Sequence, residues 1–583
     1  MSTPIYTDVL VVGAGVTGLT SAALLARQGI PAVTISKYPS TANTPRAHIT
    51  NQRTLEVLRD LGIEDRVYQD GLPMTVVPNT TWVTSLAGRE LARRRSWGTH
   101  VDRQADYQAS SPCSMVNIGQ HLLEPIIHRR AVELGADIRF LNELVEIAQD
   151  DSGVTATVRY RPTGDVHQIR AKYVVGADGG RSLIADQLNF RFEGETNLGY
   201  ALNAWFEADL SKFVAHRPGV LYWTSYPGRD DLFGSGTFLA VRPWNEWVIQ
   251  FSYDPASENL DTSEELILPR IRLAIGDDTV PVEIKAMTKW EVNHVVAQDY
   301  RVGRVFLAGD AAHRHPPANG LGSNTSIQDA YNLTWKLALV LRGKADPSLL
   351  DTYSSERQPV GRRIIDRAIE SVGLAGDILR AMGIERGQDE QQGWAALDRL
   401  FLPTTDGEFR RQELDRQLER FDYGVNCHGV EMGQRYETGA LVDDGTPWPP
   451  YRQDPQLFYQ PTTHPGAYLP HVWLEHRGAL VSSLDVVPED SWALLTGVDG
   501  ESWRGAAKQV ADELGVELVS CAIGRGLDYA DVYGDWTATR EITDRGCLLV
   551  RPDRHIAWRK VDTSSEPVTE LRDALRRILH PST

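Results

Sequence analysis

The sequence predicts a mixed α/β fold around a dinucleotide-binding unit, and three glycine-containing segments carry this prediction. They are Gly13-Ala14-Gly15-Val16-Thr17-Gly18, Gly176-Ala177-Asp178-Gly179-Gly180-Arg181-Ser182 and Gly303-Arg304-Val305-Phe306-Leu307-Ala308-Gly309-Asp310. Each contains or follows a short apolar run typical of a buried strand. Each also offers backbone amides or a carboxylate at a strand end, where α/β sheets bind nucleotides. Together they indicate one nucleotide site.

The N-terminal segment has the strand, loop, helix, strand order of a Rossmann-like unit. Residues 7–12 form an apolar strand pattern, residues 19–28 a helical pattern that Gly29 ends, and residues 31–36 the next strand. Helices are predicted near 52–61 and 120–135, with strands near 137–140 and 154–160. The first 185 residues are therefore expected to belong to the nucleotide-binding unit.

The middle of the chain changes to a strand-rich pattern, which predicts a β-sheet roofing a substrate pocket. Helical patterns return after Gly322, and a segment rich in proline and glycine at 443–461 marks a boundary before a last α/β unit. The predicted division is a discontinuous nucleotide-binding domain at 1–185 and 285–390, a substrate-binding sheet at 186–284, a helical connector at 391–440 and a C-terminal domain at 441–583.

Composition excludes several classes of function. The formal net charge of -18 disfavours nucleic-acid or anionic-membrane partners, because both require a basic surface. The four cysteines include no C-x-x-C pair, so neither a disulfide framework nor a metal site is expected, and a reducing cytoplasm fits best. The apolar stretch at 8–25 is interrupted by glycine, threonine and serine, which favours a buried strand and helix over a membrane span.

The three glycine-containing segments are predicted to bind FAD. Gly13, Gly15 and Gly18 permit a tight turn and a close approach to the pyrophosphate, with Val16 and Thr17 at the helix start. The acidic residue expected after the second strand is replaced by Ser36-Lys37, so Lys37, Arg46 and Gln120 are candidates for the remaining nucleotide contacts. Asp178 and Asp310 are placed to accept hydrogen bonds from sugar or ribitol hydroxyls.

A proline- and glycine-rich loop follows Asp310 and leads into a helix. Pro317 is expected to stiffen this loop against the flavin ring. Amides around Gly322, Ser323 and Asn324 lie at a predicted helix N-terminus, where they can stabilise negative charge on the reduced flavin.

These segments resemble the single-component FAD-dependent aromatic hydroxylases, the group A flavoprotein monooxygenases that include p-hydroxybenzoate hydroxylase. The segments Pro45-Arg46-Ala47-His48-Ile49-Thr50-Asn51-Gln52-Arg53-Thr54 and His313-Arg314-His315-Pro316-Pro317 most resemble those of the 2,4-dichlorophenol 6-monooxygenase and 2-hydroxybiphenyl 3-monooxygenase types. The resemblance covers nearly the whole length, including Val241-Arg242-Pro243-Trp244. It implies a p-hydroxybenzoate hydroxylase fold with a C-terminal thioredoxin-like domain, which here has no C-x-x-C pair. It also implies a homo-oligomer, either a dimer or a larger assembly.

The resemblance also implies a reaction and its catalytic residues. NADH or NADPH reduces FAD, O2 forms a flavin hydroperoxide, and its distal oxygen attacks a small phenol-like ring or hydroxypyridine ortho to a hydroxyl. His48 matches the position that accepts the substrate hydroxyl proton, and Arg242 matches one that orients the ring or stabilises its anion. Asn117 stands where related enzymes carry aspartate, so an amide would orient a hydroxyl or water without supplying charge.

Two other classes of function share parts of this pattern. A flavin halogenase carries a W-x-W-x-I-P segment, but Trp244-Asn245-Glu246-Trp247 has different spacing, and a flavin reductase would transfer no oxygen to its substrate. A non-catalytic flavin or ligand binder would need neither His48 nor Arg242. Aromatic hydroxylation, in catabolism or in natural-product tailoring, accounts for more of the sequence.

Overall fold

The computed structural model describes residues 4–228, 235–253, 263–385 and 387–581. Its helices comprise Val16–Arg27, Gln52–Asp60, Glu64–Asp70, Val101–Ser110, Gln120–Glu133, Leu183–Gln187, Ser211–Val214, Glu264–Ile275, Gly322–Leu341, Asp351–Ala381, Glu390–Asp398, Thr405–Arg420, Asp422–Val425, His428–Met432, Glu501–Leu514, Asp535–Thr539 and Pro567–Leu579. No described helix combines the length and apolar character that a membrane crossing needs.

The nucleotide-binding sheet has a parallel centre, as the sequence predicts. Its parallel strands lie in the order Asp137–Arg139, Ala32–Ile35, Ile5–Val12, Val166–Gly176 and Val305–Leu307. Antiparallel strands at Asn142–Asp150, Gly153–Tyr160 and Arg301–Val302 extend it. Parallel strands buried on both faces are apolar throughout, which explains why residues 9–12 have no polar alternation.

The second sheet, called the roofing sheet below, has eight strands. Their order is His313–Arg314, Glu283–Ala297, Phe192–Glu207, Glu246–Tyr253, Gly236–Arg242, Gly219–Thr224, Asn79–Val83 and Glu90–Arg95. Side chains such as Phe206, Phe238, Trp247 and Phe251 are fully buried in its core. The helix Glu264–Ile275 packs its apolar face into the same core, and sequence analysis did not predict this helix.

Strand pairing places some segments outside the predicted domain ranges. Strands Asn79–Val83 and Glu90–Arg95 belong to the roofing sheet although they lie within 1–185. Strand Glu283–Ala297 continues that sheet beyond 284. Short-range sequence patterns cannot reveal such long-range strand pairing. These three strands are therefore assigned to the roofing sheet, and the rest of the domain division stays a prediction.

A small three-stranded sheet is separate from the two large ones. Ile49–Thr50 and Leu72–Pro73 both pair with Val116–Asn117. The amide of Ile118 also donates to the carbonyl of His48 over 2.7 Å. This pairing brings two segments about 70 residues apart in the sequence into contact.

The C-terminal unit contains a four-stranded sheet in the order Leu518–Ala522, Trp492–Thr496, Cys547–Val550 and Ile556–Lys560, preceded by a hairpin at Trp473–His476 and Ala479–Ser482. Helices Glu501–Leu514 and Pro567–Leu579 complete the strand-helix-strand and strand-strand-helix order of a thioredoxin-like fold. The predicted mixed α/β fold is confirmed.

The C-terminal unit packs against the nucleotide-binding unit through buried side chains. Trp335 of the helix Gly322–Leu341 meets Trp492 edge-on at 5.6 Å between ring centroids.

Asp443, Asp444 and His464 bring possible metal-ligand atoms within 4.8 Å of one another. The Asp444 carboxylate is paired with Arg559, so it holds the proline- and glycine-rich segment 443–461 against the strand Ile556–Lys560.

Candidate active site

The glycine loop leaves no space for side chains at Gly13 and Gly18. A Cβ on Gly13, whose φ is +111°, would lie 2.0 Å from the carbonyl oxygen of Ala177, and one on Gly18 would lie 1.8 Å from that of Gly13. The helix Val16–Arg27 begins at Gly15 without a side-chain cap. Its first amides are therefore available to an anion, as a pyrophosphate site requires.

A carboxyl group that sequence analysis missed lies beside this loop. Glu124 Oε1 accepts from Gln120 Nε2 over 2.6 Å, and Oε2 accepts from the amide of Ala42 over 2.5 Å. Burial raises the pKa of Glu124, which the hydrogen bonds and the charge of Arg46 only partly offset. A carboxyl that retains its proton more readily repels a neighbouring phosphate less. The position of Glu124 one helical turn after Gln120 could have predicted from the sequence that the two side chains are in contact.

The other candidate nucleotide contacts lie around the same loop. Lys37 and Arg46 are exposed, at the end of the second strand and before His48 respectively. Asp178 Oδ2 accepts from the amide of Ile184 over 3.3 Å, whereas its Oδ1 is buried without a hydrogen-bond partner among the described residues. Burial raises the pKa of Asp178. An unpaired buried acceptor fits a ligand hydroxyl or amine group.

The turn that carries Asp310 packs directly on the glycine-loop helix. A Cβ on Gly309, whose φ is +63°, would lie 2.4 Å from the hydroxyl oxygen of Thr17. Asp310 itself is exposed. The third glycine-containing segment is thus brought against the first, as one shared nucleotide site requires.

The loop after Asp310 ends at a helix whose start is free of side-chain caps. Pro317 is exposed, Gly322 begins the helix, and Ser323 is half-buried. The Asn324 side chain accepts from the amide of Asn51 over 3.0 Å and donates to the carbonyl of Ile49 over 2.8 Å. The Asn324 side-chain amide therefore holds the loop against the segment that carries His48.

These features fit FAD. A side-chain-free glycine turn, two uncapped helix starts and an unpaired buried carboxylate oxygen match a pyrophosphate, a flavin ring and sugar hydroxyls. The residues that would hold it are Gly13, Gly15, Val16, Thr17, Gly18, Asp178 and Asp310, with the amides of Gly322 and Ser323 towards the flavin.

His48 and Asn117 form a directed hydrogen-bond chain anchored in the roofing sheet. Asn117 Nδ2 donates to the carbonyl of Ala240 over 2.8 Å, and Asn117 Oδ1 lies 2.7 Å from His48 Nδ1. Because a carbonyl only accepts, the amide nitrogen of Asn117 must face Ala240, and its oxygen must receive the Nδ1 proton of His48. In the neutral imidazole Nε2 is then a free acceptor, without a hydrogen-bond partner in the described part of the chain.

The surroundings of His48 favour the neutral imidazole. Burial lowers the pKa of His48 to about 4, and the hydrogen bond to Asn117 offsets only part of that effect. An amide supplies no negative charge to stabilise an imidazolium. Both ends of the Asn117 amide contact the protein, and the expectation that Asn117 orients a substrate hydroxyl or water stays a prediction.

Arg242 lies two residues beyond Ala240 on the same strand, and its side chain is 61% exposed. Its Nε is 3.4 Å from Glu246 Oε2, and Glu246 Oε1 accepts from Trp205 Nε1 over 2.9 Å. Arg242 is therefore near the His48–Asn117 chain but is paired with Glu246, a residue that sequence analysis did not single out.

Comparisons with known proteins agree with this geometry. A family model described as an FAD binding domain matches residues 6–368, and one described as the C-terminal part of aromatic-ring hydroxylases matches residues 462–582. The chain is 45% identical to 2,4-dichlorophenol 6-monooxygenase of Delftia acidovorans over 579 residues, covering 99% of both chains. It is 40% identical to phenol 2-monooxygenase of Pseudomonas sp. (strain EST1001), covering 99% of this chain and 94% of that one.

A solved structure extends the likeness to three dimensions. The flavin-dependent monooxygenase PieE, in complex with FAD and substrate, is 44% identical. It superposes with a TM-score of 0.95 over 99% of this chain and 100% of its own. The similarity therefore includes the nucleotide-binding unit, the roofing sheet and the C-terminal unit together.

Proposed function

Because this chain belongs to the FAD-dependent aromatic-ring hydroxylases, we propose that it adds one oxygen atom to a phenol-like or hydroxypyridine ring, ortho to an existing hydroxyl. Family membership makes it an FAD-dependent monooxygenase with NAD(P)H as electron donor. The observation that carries the finer proposal is the chain from Ala240 through Asn117 to His48, which leaves Nε2 as a fixed hydrogen-bond acceptor.

In the proposed mechanism His48 accepts the proton of the ring hydroxyl. FAD, when bound, would supply the electrophilic oxygen atom. Asn117 holds the imidazole in the tautomer with Nδ1 protonated, so Nε2 meets the ring hydroxyl as an acceptor. Withdrawing that proton places electron density on the ortho carbon, which is the position an electrophile attacks.

The low pKa of His48 selects for acidic ring hydroxyls. An ordinary phenol has a pKa of about 10, about six units above the value of about 4 at His48, so full proton transfer between them costs about 8 kcal/mol. A ring hydroxyl with a pKa near 6 reduces that cost to about 3 kcal/mol. Ring hydroxyls more acidic than that of phenol itself are therefore favoured over simple phenols.

Arg242 supports the same chemistry from the roofing sheet. Its guanidinium is 61% exposed and can move away from Glu246, whose carboxylate would keep the hydrogen bond from Trp205 Nε1. A guanidinium that turned towards the ring would stabilise the phenolate oxygen or orient the ring. We propose this role for Arg242 in the substrate complex.

The proposed function is tested by a substrate screen on the purified FAD-loaded protein. Phenols, hydroxypyridines and hydroxyquinones of graded acidity are compared for acceleration of NADH and NADPH oxidation, with mass spectrometry of the products. We expect the more acidic rings to be hydroxylated fastest and to gain one oxygen atom. Faster oxidation without a mass increase would identify an effector, and turnover without oxygen insertion for every ring would contradict the proposal.

We further propose a cytoplasmic homo-oligomer of two or more chains. The family resemblance supports the oligomer, and the cysteine pattern supports a reducing compartment. Light scattering after gel filtration would give the mass directly, with 64.9 kDa expected for a single chain. A single-chain mass across the working concentration range would refute the oligomer.

A further inference from the structure

Asp329 is a fully buried carboxylate that sequence analysis did not single out and the proposed reaction does not use. It lies on the helix Gly322–Leu341, and its side chain has no exposure to solvent. Buried carboxylates are costly unless they are paired and hydrogen-bonded, so the partners of Asp329 show what it serves.

One oxygen of Asp329 holds both ends of the turn that carries Asp310. Oδ2 accepts from the amide of Gly309 over 3.0 Å and from His313 Nε2 over 2.9 Å. Asp310 lies between these two donors and is exposed. The direction in which the Asp310 carboxylate leaves the turn is thus set on both sides by a single atom.

The other oxygen of Asp329 is held by a cation. Oδ1 accepts from Arg357 Nε over 2.8 Å, and Arg357 is in turn held by Gln434 and by the carbonyl of Thr325. Burial alone would raise the pKa of Asp329, but Arg357 and His313 outweigh it and lower that pKa below its usual value. The carboxylate therefore stays ionised and keeps its acceptors available.

We propose that Asp329 is a positioning residue for FAD, acting through the backbone turn that presents Asp310. Three donors converge on two oxygens, and no neutral side chain of the same shape can replace this arrangement. In the variant Asp329→Asn the new amide nitrogen would face either Arg357 or the Gly309 and His313 donors, so at least one buried donor would lose its acceptor. The proposal rests on the assignment of Asp310 to the ribitol hydroxyls, and it is independent of the ring substrate.

The test compares FAD affinity and fold stability separately. Asp329→Asn and the control Glu356→Gln are prepared as full chains, stripped of flavin and titrated with FAD, with flavin fluorescence giving Kd. Glu356 is a matched control because it is equally buried on the neighbouring helix and holds Lys336 and Arg551 without contacting the Asp310 turn. Thermal unfolding of the flavin-free proteins reports stability.

We expect Asp329→Asn to raise the Kd for FAD on the order of 10- to 100-fold, from the loss of a charged hydrogen bond. Glu356→Gln should lower the melting temperature while leaving Kd within about threefold of the parent. If Asp329→Asn does not fold, His313→Leu keeps the carboxylate and its cation but frees one end of the turn, and should raise Kd less. An unchanged Kd in the folded variants, or an equal rise in Glu356→Gln, would overturn the proposal.

Asp310→Ala separates this proposal from the ribitol assignment on which it rests. We expect Asp310→Ala to lose flavin on a desalting column. Full retention there would refute the ribitol role of Asp310, and with it the route through which Asp329 is proposed to act. Flavin loss in Asp310→Ala with an unchanged Kd in Asp329→Asn would refute the positioning role alone.

Discussion

Replacing Asn117 by aspartate tests the proposed base directly. The change puts a carboxylate oxygen where the amide oxygen lies 2.7 Å from His48 Nδ1. An imidazolium next to a carboxylate is stabilised by about 4 kcal/mol at 4 Å and an effective dielectric constant of about 20, or about three pKa units. We therefore expect the pKa of His48 to rise from about 4 to between about 5 and 7.

The sign of the pH dependence follows from this shift. In the parent, His48 is neutral above about pH 4, so its loss as a base does not limit kcat/KM between pH 5 and 7. In Asn117→Asp the acid limb should enter that range, with activity falling as pH drops. Because the parent imidazole binds fewer protons folded than unfolded, the stability of the parent protein also decreases as pH falls from about 6.5 towards 4. The aspartate variant should lose less stability over that interval.

Two measurements check the prediction. NMR titration of ¹⁵N-histidine in the FAD-loaded protein, with the His48 signal assigned from the spectrum of His48→Gln, gives the pKa without any substrate. The kcat/KM profile of the best ring from the screen gives the acid limb. Asn117→Ala removes the same hydrogen bonds without adding charge and should leave the pKa below its ordinary value. A His48 pKa that stays near 4 in Asn117→Asp would contradict the predicted effect of the carboxylate charge.

Three further variants probe the site and its support. His48→Ala should slow hydroxylation by about 100- to 10,000-fold or raise peroxide release while FAD stays bound, and parent rate and coupling would contradict the role of His48 as base. Gly18→Ala should abolish FAD binding because its Cβ would meet the Gly13 carbonyl at 1.8 Å, whereas Gly505→Ala, with open space around it, should bind FAD normally. Arg551→Met should lower the free energy of unfolding by about 3–5 kcal/mol, since Glu356 and Asp553 would lose their shared buried partner; an unchanged urea midpoint would show that this network contributes little.

Local sequence patterns predicted the helices and strands that are bounded by glycine. The helix expected after Gly322 towards Leu341 spans those residues, and the glycine-loop helix and the strands beside it lie within a few residues of their predicted positions. The next long helix, Asp351–Ala381, has 31 residues and contains Pro359. Tertiary packing of its buried face against two cores outweighs the local cost of that proline.

Residue type and spacing along the chain identified the cofactor class, because the glycine positions that leave room for a pyrophosphate can be read from local sequence. The family resemblance supplied the candidate site residues. The sequence named His48, Asn117 and Arg242, but not the protein groups with which they form hydrogen bonds and ion pairs. Only the tertiary structure decided that Asn117 faces Ala240 and His48, that Arg242 pairs with Glu246, and that Asp329 holds the Asp310 turn. Hydrogen-bond direction and ion pairing depend on groups far apart in sequence, and those relations exist only once the sheets and helices have packed.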